Sequence, residues 1–250
     1  MKTILITGCS SGFGLEIAKH FLEREWKVIA TMRTPDPEVL PRSENLTILP
    51  LDVTDAESIR AAVEAAGPID ALVNNAGIGF LNSLEGTPMD RIREIFETNT
   101  FGTMAVTQAV LPQFRERKAG VVVNVTSTVT LKPLLLLSIY TASKAAVNAF
   151  TESLALELAP FNVRACLVLP GQAPDTKFAE NARGVMLGIP AAYEGMAQQV
   201  FTQWAESTEP KTKSEDVAEA VWTAVNDKDA RFIPAGADAV AWAGGRTSAS

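Results

Sequence analysis

The sequence predicts an α/β fold, and three observations carry that reading. Short apolar runs at 3–7, 28–31, 46–51, 70–73, 121–126 and 163–169 alternate with stretches of helical periodicity. The first run passes through a glycine turn into a helix and then into the second run, which makes a βαβ unit. Several runs close on Asp, Asn or Pro-Gly, at the carboxyl strand ends where open α/β sheets bind ligands.

Length and composition fit that fold. A chain of 250 residues can bury a large core as one domain, 1–250, with no repeat or linker to divide it. Apolar residues make up 47% and charged residues 20%, an ordinary balance for a soluble chain. The net charge of −7 and the lack of a Lys/Arg cluster argue against a nucleic-acid partner. They do not argue against an anionic ligand, which backbone dipoles and one Arg can hold. No apolar run approaches the roughly 20 residues that span a bilayer. Gly8 interrupts the opening apolar stretch too early for a signal peptide. Cys9, Cys166 and the single His20 could not assemble a Cys/His metal site. The expectation is a cytoplasmic, metal-free protein with neither a membrane nor a nucleic-acid partner.

The first unit runs from Thr3 through Gly8-Cys9-Ser10-Ser11-Gly12-Phe13-Gly14 into a helix over about 15–25. Glycines permit positive φ and close backbone approach, and a helix N-terminus offers free N–H groups to a pyrophosphate. After the second strand stands Arg33 rather than an acidic residue. An Asp or Glu there suits the 2′-hydroxyl of NAD, and an Arg suits the 2′-phosphate of NADP. Otherwise Arg33 only decorates a surface loop. Asp52, after the third strand, either faces a ligand or caps a turn, and Thr54 or Asp55 caps the next helix. The fourth strand leads into Asn74-Asn75-Ala76-Gly77, small enough to pack beside a cofactor or simply to turn.

Residues 88–117 read as helical, but Asn99 and Gly102 interrupt good helix formers, which allows a kink that aims Asn99 inward. The fifth strand ends just before Ser127, and a long helix over 140–158 follows. On it Tyr140 and Lys144 share a face at i, i+4 spacing. A phenol of pKa about 10 is a poor acid or base near neutrality, and a neighbouring ammonium lowers that pKa. With the Ser127 hydroxyl on the same oxygen, the three side chains suit proton exchange with a carbonyl or alcohol. The sixth strand closes on Pro170-Gly171. Residues 172–207 lack a firm pattern and read as a functional segment with short helices. Ser214 caps a helix through Val225, residues 231–234 add an edge strand, and the tail 244–250 reads as frayed.

Taken together these residues resemble the short-chain dehydrogenase/reductase family in its compact, single-domain branch. The resemblance is carried over about 3–178 by Thr7-Gly8-x-x-x-Gly12-x-Gly14, Asp52, Asn74-Asn75-Ala76-Gly77, Asn99, Ser127, Tyr140-x-x-x-Lys144 and Pro170-Gly171. It implies a Rossmann-type, doubly wound, mostly parallel seven-stranded sheet with helices on both faces. It assigns Tyr140 as acid/base, Ser127 as the residue orienting the substrate oxygen, and Asn99 as the holder of a relay water. Lys144 would lower the Tyr140 pKa and bind the nicotinamide ribose, so Tyr140 and Lys144 also count among the cofactor contacts. Gly8, Ser10, Ser11, Gly12, Phe13 and Gly14 would line the pyrophosphate and ribose, Asp52 and Val53 the adenine, and Arg33 the 2′-phosphate. Asn74, Ala76, Gly77, Pro170 and Gly171 would line the rest of the cofactor. The family's Thr five residues past its turn proline falls here on Asp175. Either the loop is one residue longer and Thr176 takes that place, or the carboxamide contacts differ.

The Gly-turn sequence and the Ala30-Thr31-Met32-Arg33 strand end resemble members acting on steroids, retinoids and other hydrophobic alcohols or ketones. Apolar residues 134–137 and the segment 186–204 suit an apolar pocket, although four leucines also suit a core or a subunit interface. The resulting expectation is an NADP-dependent oxidoreductase acting on a hydrophobic ketone, aldehyde or secondary alcohol. An NAD-dependent alcohol dehydrogenase and a non-catalytic dinucleotide sensor are the alternatives. The resemblance also implies a homodimer or homotetramer, with helices 88–117 and 140–158 as candidate interfaces.

Overall fold

The computed structural model describes residues 1–174 and 189–244. Seven strands form one sheet in the order β3-β2-β1-β4-β5-β6-β7. They are β1 (Thr3–Thr7), β2 (Lys27–Met32), β3 (Leu46–Pro50), β4 (Ala71–Asn74), β5 (Gly120–Val125), β6 (Val163–Pro170) and β7 (Phe232–Ala235). All six pairings are parallel, so the expectation of a mostly parallel sheet becomes a fully parallel one. Parallel strands need crossovers, and the helices that supply them cover both faces.

The alternation of side chains along each strand sorts the core into two layers. Ile4, Ile6, Val28, Val73 and Val123 pack under α1 (Gly12–Leu22) and α7 (Ser214–Asn226). Leu5, Ile29, Leu72 and Val122 pack on the opposite face, under α2 (Ala56–Ala66), α4 (Gly102–Arg117) and α5 (Ser138–Leu158). A third apolar cluster lies outside the sheet. It joins Phe80, Leu81, Ile95, Leu136, Ile139 and Tyr140 to Ala197 and Val200 of α6 (Ala191–Glu206).

Several boundaries differ from the sequence reading, each for a local reason. Helix α1 starts at Gly12 and ends at Leu22 rather than spanning about 15–25, so the glycine turn forms its first turn, and Glu25 beyond it adopts φ +60. Asp55, not Thr54, is the N-cap of α2 and accepts from the Glu57 and Ser58 amides at 2.8 and 3.3 Å. Helix α7 is capped from inside, since the Asp216 carboxylate accepts from the Lys213 amide at 2.9 Å and Ser214 is already helical. The segment expected to hold short helices contains the 16-residue α6. A last helix, α8 (Ala237–Gly244), follows β7 and has no counterpart in the sequence reading. Gly244, the first residue of the expected frayed tail, still belongs to this helix, and the rest of that tail lies outside the described residues. No described helix is long and apolar enough to cross a membrane.

The region 88–117 is helical throughout, but not uniformly so. Between α3 (Met89–Phe96) and α4 the chain makes one π-helical turn, Glu97–Phe101. Such a turn inserts one extra residue and rotates the side chains that follow it. Asn99 is thereby fully buried, as the expected inward kink requires. Gly102 then lets the start of α4 approach Val53, which a Cβ would meet at 2.8 Å.

Candidate active site

The strand order reverses between β1 and β4, so a crevice opens at their carboxyl ends. Gly8 lies there with φ +76, and Gly12 follows at φ +58. A side chain on Gly8 would meet the Ala76 backbone at 2.9 Å, and one on Gly14 would collide with the Gly8 carbonyl. Ser11 takes the N-cap position of α1 with extended backbone and makes no capping bond with its side chain. Ser10 is exposed beside it. Phe13 is half-buried and packs against the core.

Two residues hold this turn in place. The buried Thr7 hydroxyl accepts from the Asn75 and Ala76 amides, each at 3.0 Å, and thus joins the exits of β1 and β4. The Asn75 side-chain amide donates to the carbonyls of Thr7 at 3.0 Å and Gly8 at 3.2 Å. Asn74, the residue expected to line the cofactor, turns the other way. Its amide donates to Thr107 and to Asn124, both at 2.9 Å, and Asn124 donates to Thr151 at 2.8 Å. This buried network ties β4 and β5 to α4 and α5, so only the Asn74 backbone is available at the crevice.

Further along the same edge, Arg33 is exposed just past β2. The Asp52 carboxylate is held below its ordinary value mainly by the Thr54 amide and hydroxyl, at 2.9 and 2.7 Å, with a smaller contribution from Arg33. Asp52 therefore does organise a turn, and it shares its surroundings with the guanidinium. Val53 is buried under α4.

The other end of the crevice gathers the expected reactive side chains. Ser127 follows β5, and its hydroxyl accepts from the Val129 amide at 3.3 Å. It also hydrogen-bonds the Tyr140 hydroxyl across the start of α5. Tyr140 and Lys144 are each only 5% exposed, and so sit in a medium that opposes charge. Burial pushes the Tyr140 phenol above its ordinary 10, against a smaller lowering by Ser127. Burial also lowers the Lys144 ammonium to about 8, and this group donates to the Val125 carbonyl at 3.1 Å. The expected lowering of the phenol by Lys144 is thus opposed by the largest influence on it.

Asn99 acts on this group through the backbone. Its side-chain oxygen accepts from the Ile78 amide at 2.8 Å, and its side-chain NH₂ donates to the Ile78 carbonyl at 3.0 Å and to the Ser143 hydroxyl at 3.2 Å. Ser143 in turn donates to the Tyr140 carbonyl at 2.8 Å. Gly77 lies between Asn99 and Lys144, since a Cβ on it would stand 3.1 and 3.4 Å from their polar atoms. Asn99 thus joins the Ile78 backbone to the first turn of α5. Pro170 ends β6, and Gly171 follows under the Asp238 carboxylate. Thr176, with Asp175, lies outside the described residues. Sequence reasoning did not single out Thr7, Asn75 or Ser143 for these roles, though all three stand inside or beside motifs it quoted.

A family model for short chain dehydrogenases matches residues 2–185. The chain belongs to that family. Among its relatives, this short-chain dehydrogenase is 36% identical to bovine (Bos taurus) retinol dehydrogenase 8 over 228 residues, covering 85% of this chain and 67% of the relative. A short chain dehydrogenase from Burkholderia cenocepacia, solved in complex with NADP, superposes with a TM-score of 0.79 at 28% identity, covering 100% and 95% of the two chains. The 3-ketoacyl-(acyl-carrier-protein) reductase of Brucella melitensis, solved with NADH, also gives 0.79, at 27% identity over 93% and 95%. The short-chain dehydrogenase is thus an oxidoreductase with a Rossmann-like sheet. Its cradle fits a dinucleotide, because Gly8 and Gly14 leave no room for side chains against the turn and α1 points its N-terminus there.

Proposed function

We propose that this short-chain dehydrogenase is NADP-dependent and moves hydride between the nicotinamide and a hydrophobic ketone or aldehyde, or in reverse a secondary alcohol. The observation that carries the reading is the Ser127–Tyr140 hydrogen bond, set beside the buried Lys144 and walled by the third apolar cluster. When bound, the nicotinamide would supply or accept the hydride. Ser127 orients the substrate oxygen, and Tyr140 delivers or removes its proton. Burial keeps the phenol protonated through neutral pH, so Tyr140 carries the proton that carbonyl reduction needs, and the positive charge of Lys144 is what would ease its release. Lys144 places positive charge beside the reacting groups, and Phe80, Leu81, Leu137 and Val200 exclude water. The resemblance to retinol dehydrogenase 8 supports an apolar substrate.

Gly8, Ser11, Gly12 and Gly14 would hold the pyrophosphate, Asp52 and Val53 the adenine, and Arg33 the 2′-phosphate. The last assignment has a direct test, the affinity of the purified protein for NADPH and for NADH by nicotinamide fluorescence. A charge-assisted hydrogen bond to the phosphate is expected to favour NADPH by roughly ten- to a hundredfold. Arg33→Ala should bring the two affinities close together. Equal or tighter binding of NADH by the wild type would instead support the NAD-dependent alcohol dehydrogenase. Tight cofactor binding without turnover of any carbonyl or alcohol would support the sensor.

We also propose that the protein, acting in the cytoplasm, forms a homodimer or homotetramer through α4 and α5. An open groove of about 390 Å³ runs between them, lined by Phe101, Met104, Leu111 and Phe150, and Phe101 is 52% exposed. Light scattering should give a dimer or tetramer mass, reduced in Phe101→Glu. A monomeric wild type at micromolar concentration would contradict the assembly.

A further inference from the structure

A buried carboxylate outside the motifs already described grips one wall of the crevice. Asp238, in the first turn of α8, is 6% exposed. One of its oxygens accepts from the Gln172 amide at 2.7 Å, and the other accepts from the Thr212 hydroxyl at 2.6 Å. Thr212 is itself 3% exposed. Its hydroxyl also accepts from the Gly171 amide at 3.0 Å and reaches the Ala235 carbonyl at 2.9 Å, while its amide donates to the Gln172 carbonyl at 2.9 Å. Gly171 has no side chain because the carboxylate occupies that space. The turn after β6 is therefore tied to α8 directly through the Gln172 amide and, for Gly171, by way of Thr212.

The same helix reaches the neighbouring turn. Helix α8 lies against the short 3₁₀ turn Thr128–Thr130, immediately after Ser127. Lys132, just beyond that turn, stands over the Trp242 ring of α8 at 4.9 Å. Strands β5 and β6 are adjacent in the sheet, and the Thr126 amide donates to the Val168 carbonyl at 2.9 Å. One helix thus holds both turns at the Tyr140 end of the crevice. The Gly8–Gly14 turn and Arg33 lie at the other end, beyond β4.

We infer that Asp238 is a positioning residue for the reactive end of the dinucleotide, acting by clamping the Gly171–Gln172 backbone to α8. The inference rests on the NADP reading, because a dinucleotide with its phosphates at the glycine turn must extend across β4 and β5 to bring its reactive ring beside Tyr140. A fixed Gly171–Gln172 backbone then forms one side of the slot for that ring. Removal of the carboxylate leaves the Gln172 amide without its acceptor, while the Thr212 hydroxyl keeps only the Ala235 carbonyl, so the turn loses its tie to α8. Asp238→Asn keeps the pattern, since the amide oxygen accepts from Gln172 while the amide nitrogen donates to the Thr212 hydroxyl, which donates to Ala235.

The test compares two probes by calorimetry, NADPH and 2′,5′-ADP, which shares the adenosine half and has no nicotinamide. In Asp238→Ala, affinity for NADPH should fall about tenfold or more while affinity for 2′,5′-ADP stays within about twofold of wild type. Asp238→Asn should bind both as the wild type does. Should Asp238→Ala fail to fold, Thr212→Val, which leaves the carboxylate but removes its hydroxyl partner, must show the same split. Parallel loss of both probes, or loss of neither, overturns the inference while leaving the NADP reading in place. Failure of the wild type to bind either probe overturns the NADP reading, and this inference with it.

Discussion

Tyr140→Phe is expected to lower turnover of a hydrophobic ketone by about a hundred- to ten-thousandfold, the range spanned by loss of a positioned general acid. The substitution removes one hydroxyl from a residue that is otherwise part of an apolar cluster, so the fold should be intact. Affinity for NADPH should change little, because the ring and its packing are retained. Steady-state kinetics with a fluorescence titration separates the two effects. Near-normal turnover in Tyr140→Phe would remove Tyr140 from the chemistry. A fall confined to KM would assign it to substrate binding.

Lys144→Met should separate stability from activity. Turnover should fall by at least about a hundredfold, as the charge beside Tyr140 is lost. The stability effect has the opposite sign at neutral pH and depends on pH in a defined way. The folded-state pKa, about 8, lies below the ordinary 10.5 of the unfolded chain. Below pH 8 the ammonium is charged in both states, and its burial disfavours the folded state by roughly 3 kcal/mol. Between pH 8 and 10.5 the folded protein has released the proton while the unfolded chain still binds it, so this penalty disappears as pH rises. Tyr140, raised above its ordinary 10, favours unfolding from about pH 10 upward, but it does so in both proteins and cancels in the comparison. Denaturant unfolding at pH 7 and pH 10 should therefore show wild type gaining about 2–3 kcal/mol relative to Lys144→Met. In the variant the Val125 carbonyl loses its donor at every pH, which offsets part of the stabilisation at pH 7 and leaves the pH-dependent gain unchanged. A pH-independent difference would mean that Lys144 is solvated and ordinary.

The α/β architecture was legible because strand burial on both faces of a parallel sheet writes near-continuous apolar runs, as in Ile4-Leu5-Ile6 and Val121-Val122-Val123. Ser127, Tyr140 and Lys144 were legible because the chemistry requires those side chains and helical spacing fixes two of them. The division of labour between Asn74 and Asn75 was in the sequence but needed strand parity to extract. Leu72 faces the helix layer of α4 and α5, so Asn74, two residues on, faces it too, and Asn75 alone can turn back to the glycine turn. The π-helical turn at Asn99 was readable only as an interruption, because its extra residue leaves the apolar pattern on both sides intact. Asp238 was not legible at all. A carboxylate in the first turn of a short Ala-rich helix normally serves that helix, and only the return of α8 to the end of β6 shows that it serves Gly171 and Gln172.

The most direct measurement of the central claim is isotopic. Wild-type protein would be incubated with NADPH carrying deuterium at the transferable position of the nicotinamide and with a panel of hydrophobic ketones and aldehydes, the alcohols being examined by mass spectrometry. One deuterium is expected on the carbinol carbon of at least one product, and none when Tyr140→Phe replaces the wild type. Tight NADPH binding with no deuterium in any product, in either isomer of the label, would contradict the central claim.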